Sequence, residues 1–384
     1  MPWKEICALE IRKEMISDWL TKEYTITELS DSYGVSRKTI HKWIDRYHQK
    51  GIAGLVDLSR EPDYHPNATS IEKVAAILAL KRQKIKWGPR KIMAKLRNDS
   101  PEVQWPADST GNAILKKHGF VQSRKHRHRV PSYTAPFVNC DQSNAVWSAD
   151  YKGQFKMGNK QKCYPLTISD NYSRFLLGCW GLTRPNFEQT KPYFEKAFIR
   201  NGLPLAIRTD NGQPFASRGL TGLSRLSVWF IKLGIIPERI EPGCPEQNGR
   251  HERMHRTLKE ATANPPKNNL GEQQEAFDDF IEEYNYERPH EALNQKPPSS
   301  VYRLSLRPYP AKLLKVEYGP HIAVRHVTNR GCIKWKGIFV FLSESLMGEY
   351  VAFKQVEDHL WEVFFSTYSL GFLDEKQWKI IRKV

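Results

Sequence analysis

Apolar positions recur at helical spacing through the first fifty residues. They predict three short helices, the first from about Ala8 to Tyr24. Thr25-Ile26-Thr27-Glu28 has the form of a capping box, in which the Thr25 hydroxyl bonds a free backbone N–H and Glu28 reaches back. The second helix should stop at Ser32-Tyr33-Gly34, where glycine accommodates a left-handed turn. Ser36 then caps a third helix with Ile40, Trp43, Ile44 and Tyr47 on one face and Arg37, Lys38, Lys42 and Arg46 mostly off it. A short helix, a glycine turn and a basic amphipathic helix match the helix-turn-helix pattern, whose second helix enters the DNA major groove. A small three-helix bundle with a solvated basic face is the competing reading.

Residues 51–69, with Gly51, Gly54, Pro62 and Pro66, have little periodicity and read as a linker. A second helical unit follows: Ser70 to about Ile85, Gly88-Pro89 through Leu96, and Ala107 to Lys117. Between Lys81 and Arg97 lie eight basic residues and no acidic one, which points to phosphate contact by residues such as Arg90 and Lys91. Arg124-Lys125-His126-Arg127-His128-Arg129 continues as a basic connector, with its histidines held apart by repelling charges.

From Ala145 the period changes. Ala145 to Phe155, Cys163 to Ile168 and Phe175 to Leu182 read as strands. Asn186 to Arg200 reads as a helix, Leu205 to Thr209 as a buried strand and Leu220 to Leu233 as a helix. Ile235 to Ile240 makes a further strand, before helices over Asn248 to Ala263 and Glu272 to Tyr286. The order β-β-β-α-β-α-β-α is a mixed α/β layer arrangement. Beyond Pro310 the predicted elements are short strands at Leu314–Tyr318, Ile322–Val327, Cys332–Trp335, Ile338–Phe341, Tyr350–Lys354 and Trp361–Phe365, which suggest a small barrel.

Composition narrows the class. The 384 residues carry a formal charge of +17, which makes a polyanion the first partner to consider. No apolar run is long enough for a membrane span and no signal peptide is evident, so a soluble, cytoplasmic protein is expected. The six cysteines are scattered without a C-x-x-C pair, indicating neither a zinc ribbon nor a disulfide framework.

Three acidic residues stand out by context. Asp150 lies within the first strand of the α/β region, where Asp is depleted and costly to bury unpaired. Asp210 ends a buried strand, in Thr209-Asp210-Asn211-Gly212, and Glu252 lies early on a helix after Asn248-Gly249-Arg250-His251. Taken singly, Asp210 reads as a turn residue and Glu252 as a partner of the helix dipole. Converging at one sheet edge, the three would offer the hard oxygen donors that magnesium favours. Glu252, Arg256 and Lys259 share one helix face, so a carboxylate would be followed by two cations able to hold phosphates. An exposed ion pair of little energetic weight is the alternative.

The strand motif around Asp150, Asp210-Asn211-Gly212, and Pro245-Glu246-Gln247-Asn248-Gly249-Arg250-His251-Glu252-Arg253-Met254-His255-Arg256-Thr257-Leu258-Lys259 together resemble the integrase core of bacterial insertion-sequence transposases, kin to retroviral integrases. Arg288-Pro289-His290-Glu291-Ala292-Leu293, with Pro297-Pro298 and Tyr302, is similar to the segment closing that core. The resemblance implies a multidomain chain: helix-turn-helix units at 1–55 and 70–122, a basic linker at 123–139, a ribonuclease H-like α/β catalytic core at 140–304 and a small all-β barrel at 305–384. It implies catalysis by Asp150, Asp210 and Glu252 holding two Mg²⁺ or Mn²⁺ ions, with hydrolysis at the element ends and joining of the freed 3′-hydroxyls to target DNA. Double-stranded DNA, as terminal repeats and target, would be the partner, with self-association into a dimer or higher assembly and no membrane. Arg37, Lys38, Lys42, Arg46, Arg90, Lys91, Arg250, Arg256 and Lys259 are the expected DNA contacts. Glu246 rivals Glu252 as third carboxylate but sits in a Pro/Gly loop. The 41 residues between Asp210 and Glu252 exceed the retroviral spacing, so a loop insertion is expected near Ser217–Ser227. A catalytically silent, transposase-derived DNA-binding regulator and a plain ribonuclease H-like nuclease are the rival functions.

Overall fold

The computed structural model describes residues 7–58, 68–121, 140–217, 219–240, 249–313 and 315–382. It divides into two compact units, Met1–Thr69 and Ser70–Val384.

The first unit holds helices α1 (Ala8–Thr21), α2 (Ile26–Tyr33) and α3 (Arg37–Lys50), followed by a 3₁₀ turn over Gly51–Leu55. The expected capping box is formed: Thr25 accepts from the Glu28 N–H while the Glu28 carboxylate accepts from the Thr25 N–H. These bonds hold the Glu28 carboxyl below its ordinary range. Gly34 takes the left-handed conformation that ends α2. Met15, Ile16, Leu29, Ile40, Trp43, Ile44 and Leu55 form one core. The start of the expected linker is therefore structural, since Leu55 is buried, while 59–67 lie outside the described residues.

In the second unit, α4 (Ile71–Gln83), α5 (Pro89–Asp99) and α6 (Asp108–Lys117) pack around Ile77, Trp87, Ile92, Met93 and Leu115. Proline at the first position of α5 costs no hydrogen bond, because that N–H has no helical partner. The basic connector at 124–129 lies outside the described residues.

The α/β region is a mixed sheet of β1 (Val146–Tyr151), β2 (Phe155–Lys156), β3 (Lys162–Asp170), β4 (Leu176–Leu182), β5 (Ala206–Thr209) and β6 (Ile236–Arg239). Strand β3 pairs antiparallel with β1, β2 and β4, while β1, β5 and β6 are parallel neighbours. Helices α7 (Phe187–Asn201) and α8 (Arg225–Lys232) pack one face against Trp147, Ala149, Leu166, Ile168 and Ile207. Helices α9 (Gly249–Thr262) and α10 (Leu270–Glu282) pack the other against Cys163, Leu176 and Cys179. Cover on both faces explains why these strands read as nearly continuous apolar runs. Helix α8 is shorter than predicted. Ala216 and Leu223 are bridged, and the described residues between them, 217 and 219–222, lie inside the stretch expected to hold an insertion.

The C-terminal region is all-β, as expected, but not a closed barrel. Its strands are β7 (Ala323–His326), β8 (Cys332–Trp335), β9 (Ile338–Phe341), β10 (Tyr350–Glu357), β11 (Leu360–Phe365), β12 (Tyr368–Asp374) and β13 (Lys379–Ile381). Among the described residues they form an open sheet, β13-β12-β11-β10-β7, with β8–β9 as a separate hairpin. The hairpin contributes Ile333, Trp335 and Val340 to the core shared with the sheet, so that core is covered without closure. The predicted strand at Leu314–Tyr318 is absent among its described residues.

Candidate active site

The sheet register brings the two aspartates together. Ala149 pairs with Thr209 across parallel β1 and β5, so Asp150 and Asp210 follow at the same level on adjacent strand ends. Trp147, Ala149 and Tyr151 point to the α7–α8 face, which leaves Ser148 and Asp150 on the face covered by α9. Glu252 is exposed in the first turn of α9. The sequence motif explains the shape of the loop. The Gly212 N–H donates to Asp210 Oδ1 at 3.1 Å, and Asn211 Nδ2 donates to the Ile240 carbonyl at 2.9 Å, tying the ends of β5 and β6. A Cβ at Gly212 would lie 3.0 Å from Asp210 Oδ2, so a small residue is needed there.

The electrostatics are those of crowded acids. Burial pushes the Asp150 carboxyl up to about 7, with Asp210 and then Glu252 adding repulsion. Asp210 is also raised by burial, against the opposing Gly212 bond. A divalent cation fits this set, because it would offset the repulsion and the donors are hard oxygens. Asp150, Asp210 and Glu252 are the residues that would hold it. Glu246 lies outside the described residues.

Two histidines that sequence reasoning passed over lie under the site. His251 and His255, one turn apart on the buried face of α9, both place Nε2 against the Thr167 hydroxyl, at 2.7 and 2.6 Å. Asp150, His251 and His255 bring ligand atoms within 4.8 Å of one another. Burial holds His251 down to about 3 and lowers His255 further, so both rings are neutral. Their i, i+4 spacing at apolar-face positions was the available signal.

The proposed DNA-contact residues fare differently. Arg37, Lys38 and Lys42 are exposed on α3, whereas Arg46 lies 4.6 Å over the Trp43 ring and donates to the Val56 carbonyl. Arg256 and Lys259 are exposed on the Glu252 face of α9, and Arg250 donates to the Asn171 carbonyl at 3.3 Å. The basic run from Lys81 is largely engaged within the chain. Lys81 is buried on the Ile85 and Trp87 carbonyls, and Lys84 pairs with Glu283 and Glu287. Lys86 donates to the Glu260 carbonyl, Arg90 pairs with Glu291 at 3.3 Å, and Lys91 donates to the Pro289 carbonyl. The Arg288–Leu293 segment, noticed as a motif, thus receives α5 on the α/β region.

A two-strand carboxylate pair with a third acid on the covering helix, in a sheet of antiparallel β1–β4 extended by parallel β5 and β6, is the arrangement of a ribonuclease H-like core. Comparison with known proteins agrees. Residues 141–245 and 233–298 match family models described as integrase core domain, and residues 11–62 and 39–115 match a helix-turn-helix domain and a homeodomain-like domain. The chain is 25% identical over 251 residues to an uncharacterized 39.2 kDa protein of insertion element IS476 from Xanthomonas euvesicatoria, covering 64% of this chain and 69% of that one. It is 25% identical over 261 residues to an uncharacterized 31.7 kDa protein of insertion element IS407 from Burkholderia multivorans (64% and 87%). It is 21% identical over 269 residues to the transposase for transposon Tn552 from Staphylococcus aureus (64% and 54%). Among solved structures, the HTLV-2 integrase catalytic core is 18% identical over 42% of this chain and 99% of that one, with a TM-score of 0.34. Residues 141–298 thus match an integrase core domain, with matches to helix-turn-helix and homeodomain-like domains ahead of it. Among the described residues, no helix is long and apolar enough to cross a membrane.

Proposed function

We propose that this protein is a DNA transposase that binds the terminal repeats of an insertion sequence, hydrolyses phosphodiester bonds at the element ends and joins the 3′-hydroxyls to target DNA. The observation carrying this reading is the level placement of Asp150 and Asp210 on neighbouring strand ends, with Glu252 adding to the charge felt by Asp150. Two Mg²⁺ or Mn²⁺ ions held by these residues would supply Lewis-acid activation of a water or hydroxyl and stabilisation of the leaving oxygen. The chain's part is positional: β1 and β5 hold two carboxylates rigidly, and α9 carries the third together with Arg256 and Lys259 for the adjacent phosphates.

Arg37, Lys38, Lys42 and Arg46 are proposed to follow the terminal-repeat DNA, and Arg250 the strand near the acids. Arg90 and Lys91 would have to release Glu291 and Pro289 to reach a phosphate. Because joining involves two ends, a dimer or higher assembly on DNA is proposed as the working form. The modules are assigned as 1–55 and 70–122 for DNA, 140–304 for catalysis and 305–384 for the β region, with 123–139 as connector.

The test is end cleavage and joining on the flanking DNA with Mn²⁺, comparing the parent with Asp210→Asn. Nicking at the ends and joined products, both lost in the variant, are the expected result. Tight binding with no cleavage by either protein would favour a silent DNA-binding regulator. Cleavage without joining would favour a nuclease.

A further inference from the structure

Beneath Asp150 runs a line of buried polar groups in close contact with one another. Ser169 Oγ lies 3.0 Å from His251 Nδ1, and His251 Nε2 lies 2.7 Å from Thr167 Oγ1. Thr167 Oγ1 lies 2.6 Å from His255 Nε2, and His255 Nδ1 lies 3.8 Å from Asp150 Oδ2. Thr167, Ser169, His251 and His255 are all buried, so each polar atom needs a partner within the protein.

Proton counting selects between two arrangements. A threonine hydroxyl has one proton and a neutral imidazole has one N–H. If Thr167 gave its proton to the Asp150 backbone carbonyl, 3.1 Å away, both Nε2 atoms would have to be donors. His255 Nδ1 would then turn a lone pair toward the Asp150 oxygen, which is unfavourable for the carboxylate that a metal ion requires. If Thr167 instead donates mainly to His255 Nε2, the shortest of its contacts, every donor along the line except the His255 Nδ1–H meets an acceptor within hydrogen-bond distance. Ser169 then donates to His251, His251 to Thr167 and Thr167 to His255, and the His255 Nδ1–H dipole is directed at Asp150.

We propose that Ser169, His251, Thr167 and His255 form a directional relay that positions the Asp150 carboxylate, with His255 as the immediate positioning residue. The inference rests on the assignment of Asp150 to the metal-holding set. The last link, at 3.8 Å, exceeds a hydrogen bond and acts as a dipole oriented on the carboxylate. The relay also locks α9 to β3, and so holds Glu252 in phase with Asp150. Outer partners of this kind commonly change metal affinity by about 10–100-fold when removed.

Two measurements on the full chain test the relay. Imidazole ¹⁵N NMR of the metal-free parent should show His251 as the Nε2–H tautomer and His255 as the Nδ1–H tautomer. An Nε2–H tautomer at His255 would overturn the proposal. Calorimetric titration with Mn²⁺ should show binding about 10–100-fold weaker in Thr167→Val and within about threefold of the parent in Thr167→Ser. Equal affinity in parent and valine variant would also overturn it. Should the valine variant fail to fold, the tautomers of the parent decide. A parent that binds no Mn²⁺ would instead refute the metal reading of the site, while the tautomers would still judge the relay.

Discussion

Two basic stretches look alike on paper and end differently. Helix α3 places Arg37, Lys38 and Lys42 in solvent, while Trp43 and Ile44 anchor the other face. In the run from Lys81 to Arg97, seven of the eight cations meet acceptors within the chain: backbone carbonyls for Lys81, Lys86 and Lys91, and carboxylates for Lys84, Arg90, Lys95 and Arg97. Trp87, almost wholly buried, donates its indole N–H to Glu283 at 2.7 Å in the same seam. A cluster of cations in the sequence therefore does not by itself say how many of them the fold engages. Both stretches are rich in Lys and Arg, and partner geometry makes the difference.

The strongest attack on this contrast is at Trp87. Trp87→Ala should cost about 3–5 kcal/mol in chemical denaturation of the full chain, because it empties the centre of the α4–α6 core and removes one of the hydrogen bonds to Glu283. A loss under about 1 kcal/mol would mean that the seam is not a packed interface.

Next in size is the salt dependence of binding to a mixed-sequence duplex. Replacing Arg37, Lys38 and Lys42 together by alanine should lower the slope of log affinity against log salt by about 2–3. Lys84→Ala and Lys95→Ala should leave that slope unchanged. A lowered slope in either lysine variant would show that the docked run reaches DNA, and the contrast would fail.

The smallest effect sharpens the account of Lys91. Burial, with Arg288 nearby, pushes its amine down to about 8. The unfolded chain then binds more protons than the native one between that value and the ordinary lysine range near 10.4. The penalty is complete below pH 8 and is relieved as pH rises. The parent should therefore gain on the order of 1 kcal/mol relative to Lys91→Met between about pH 7.5 and 10. An identical pH dependence in the two proteins would place the Lys91 amine in water.

Legibility followed locality. The capping box at Thr25, the glycine stop at Gly34 and the proline start of α5 need only their own neighbours, and each appears where the pattern predicted it. Asp150, Asp210 and Glu252 were visible because Asp is unusual in a strand and because Asn-Gly flanks the other two. The relay was not visible, since Thr167 and Ser169 look like ordinary strand residues until α9 lies across them. The loop after Asp210 was legible as extra length only. Its destination, with Thr221 Oγ1 donating to Ser343 Oγ at 3.2 Å on the C-terminal region, depends on residues 122 positions away. The barrel expectation failed for a related reason: alternation predicts strands, but closure depends on which edges pair.

The sequence by itself determined most of the helical and strand segments, though not β12 and β13, together with the excess of positive charge and the three acids singled out as candidates. These follow from short-range sterics, periodicity and residue chemistry. Only the tertiary structure decided which cations are engaged within the chain, how the two histidines came under Asp150, and that the C-terminal sheet stays open among the described residues. Each of those outcomes depends on hydrogen-bond and packing partners distant in sequence, and a local pattern does not specify which partners meet.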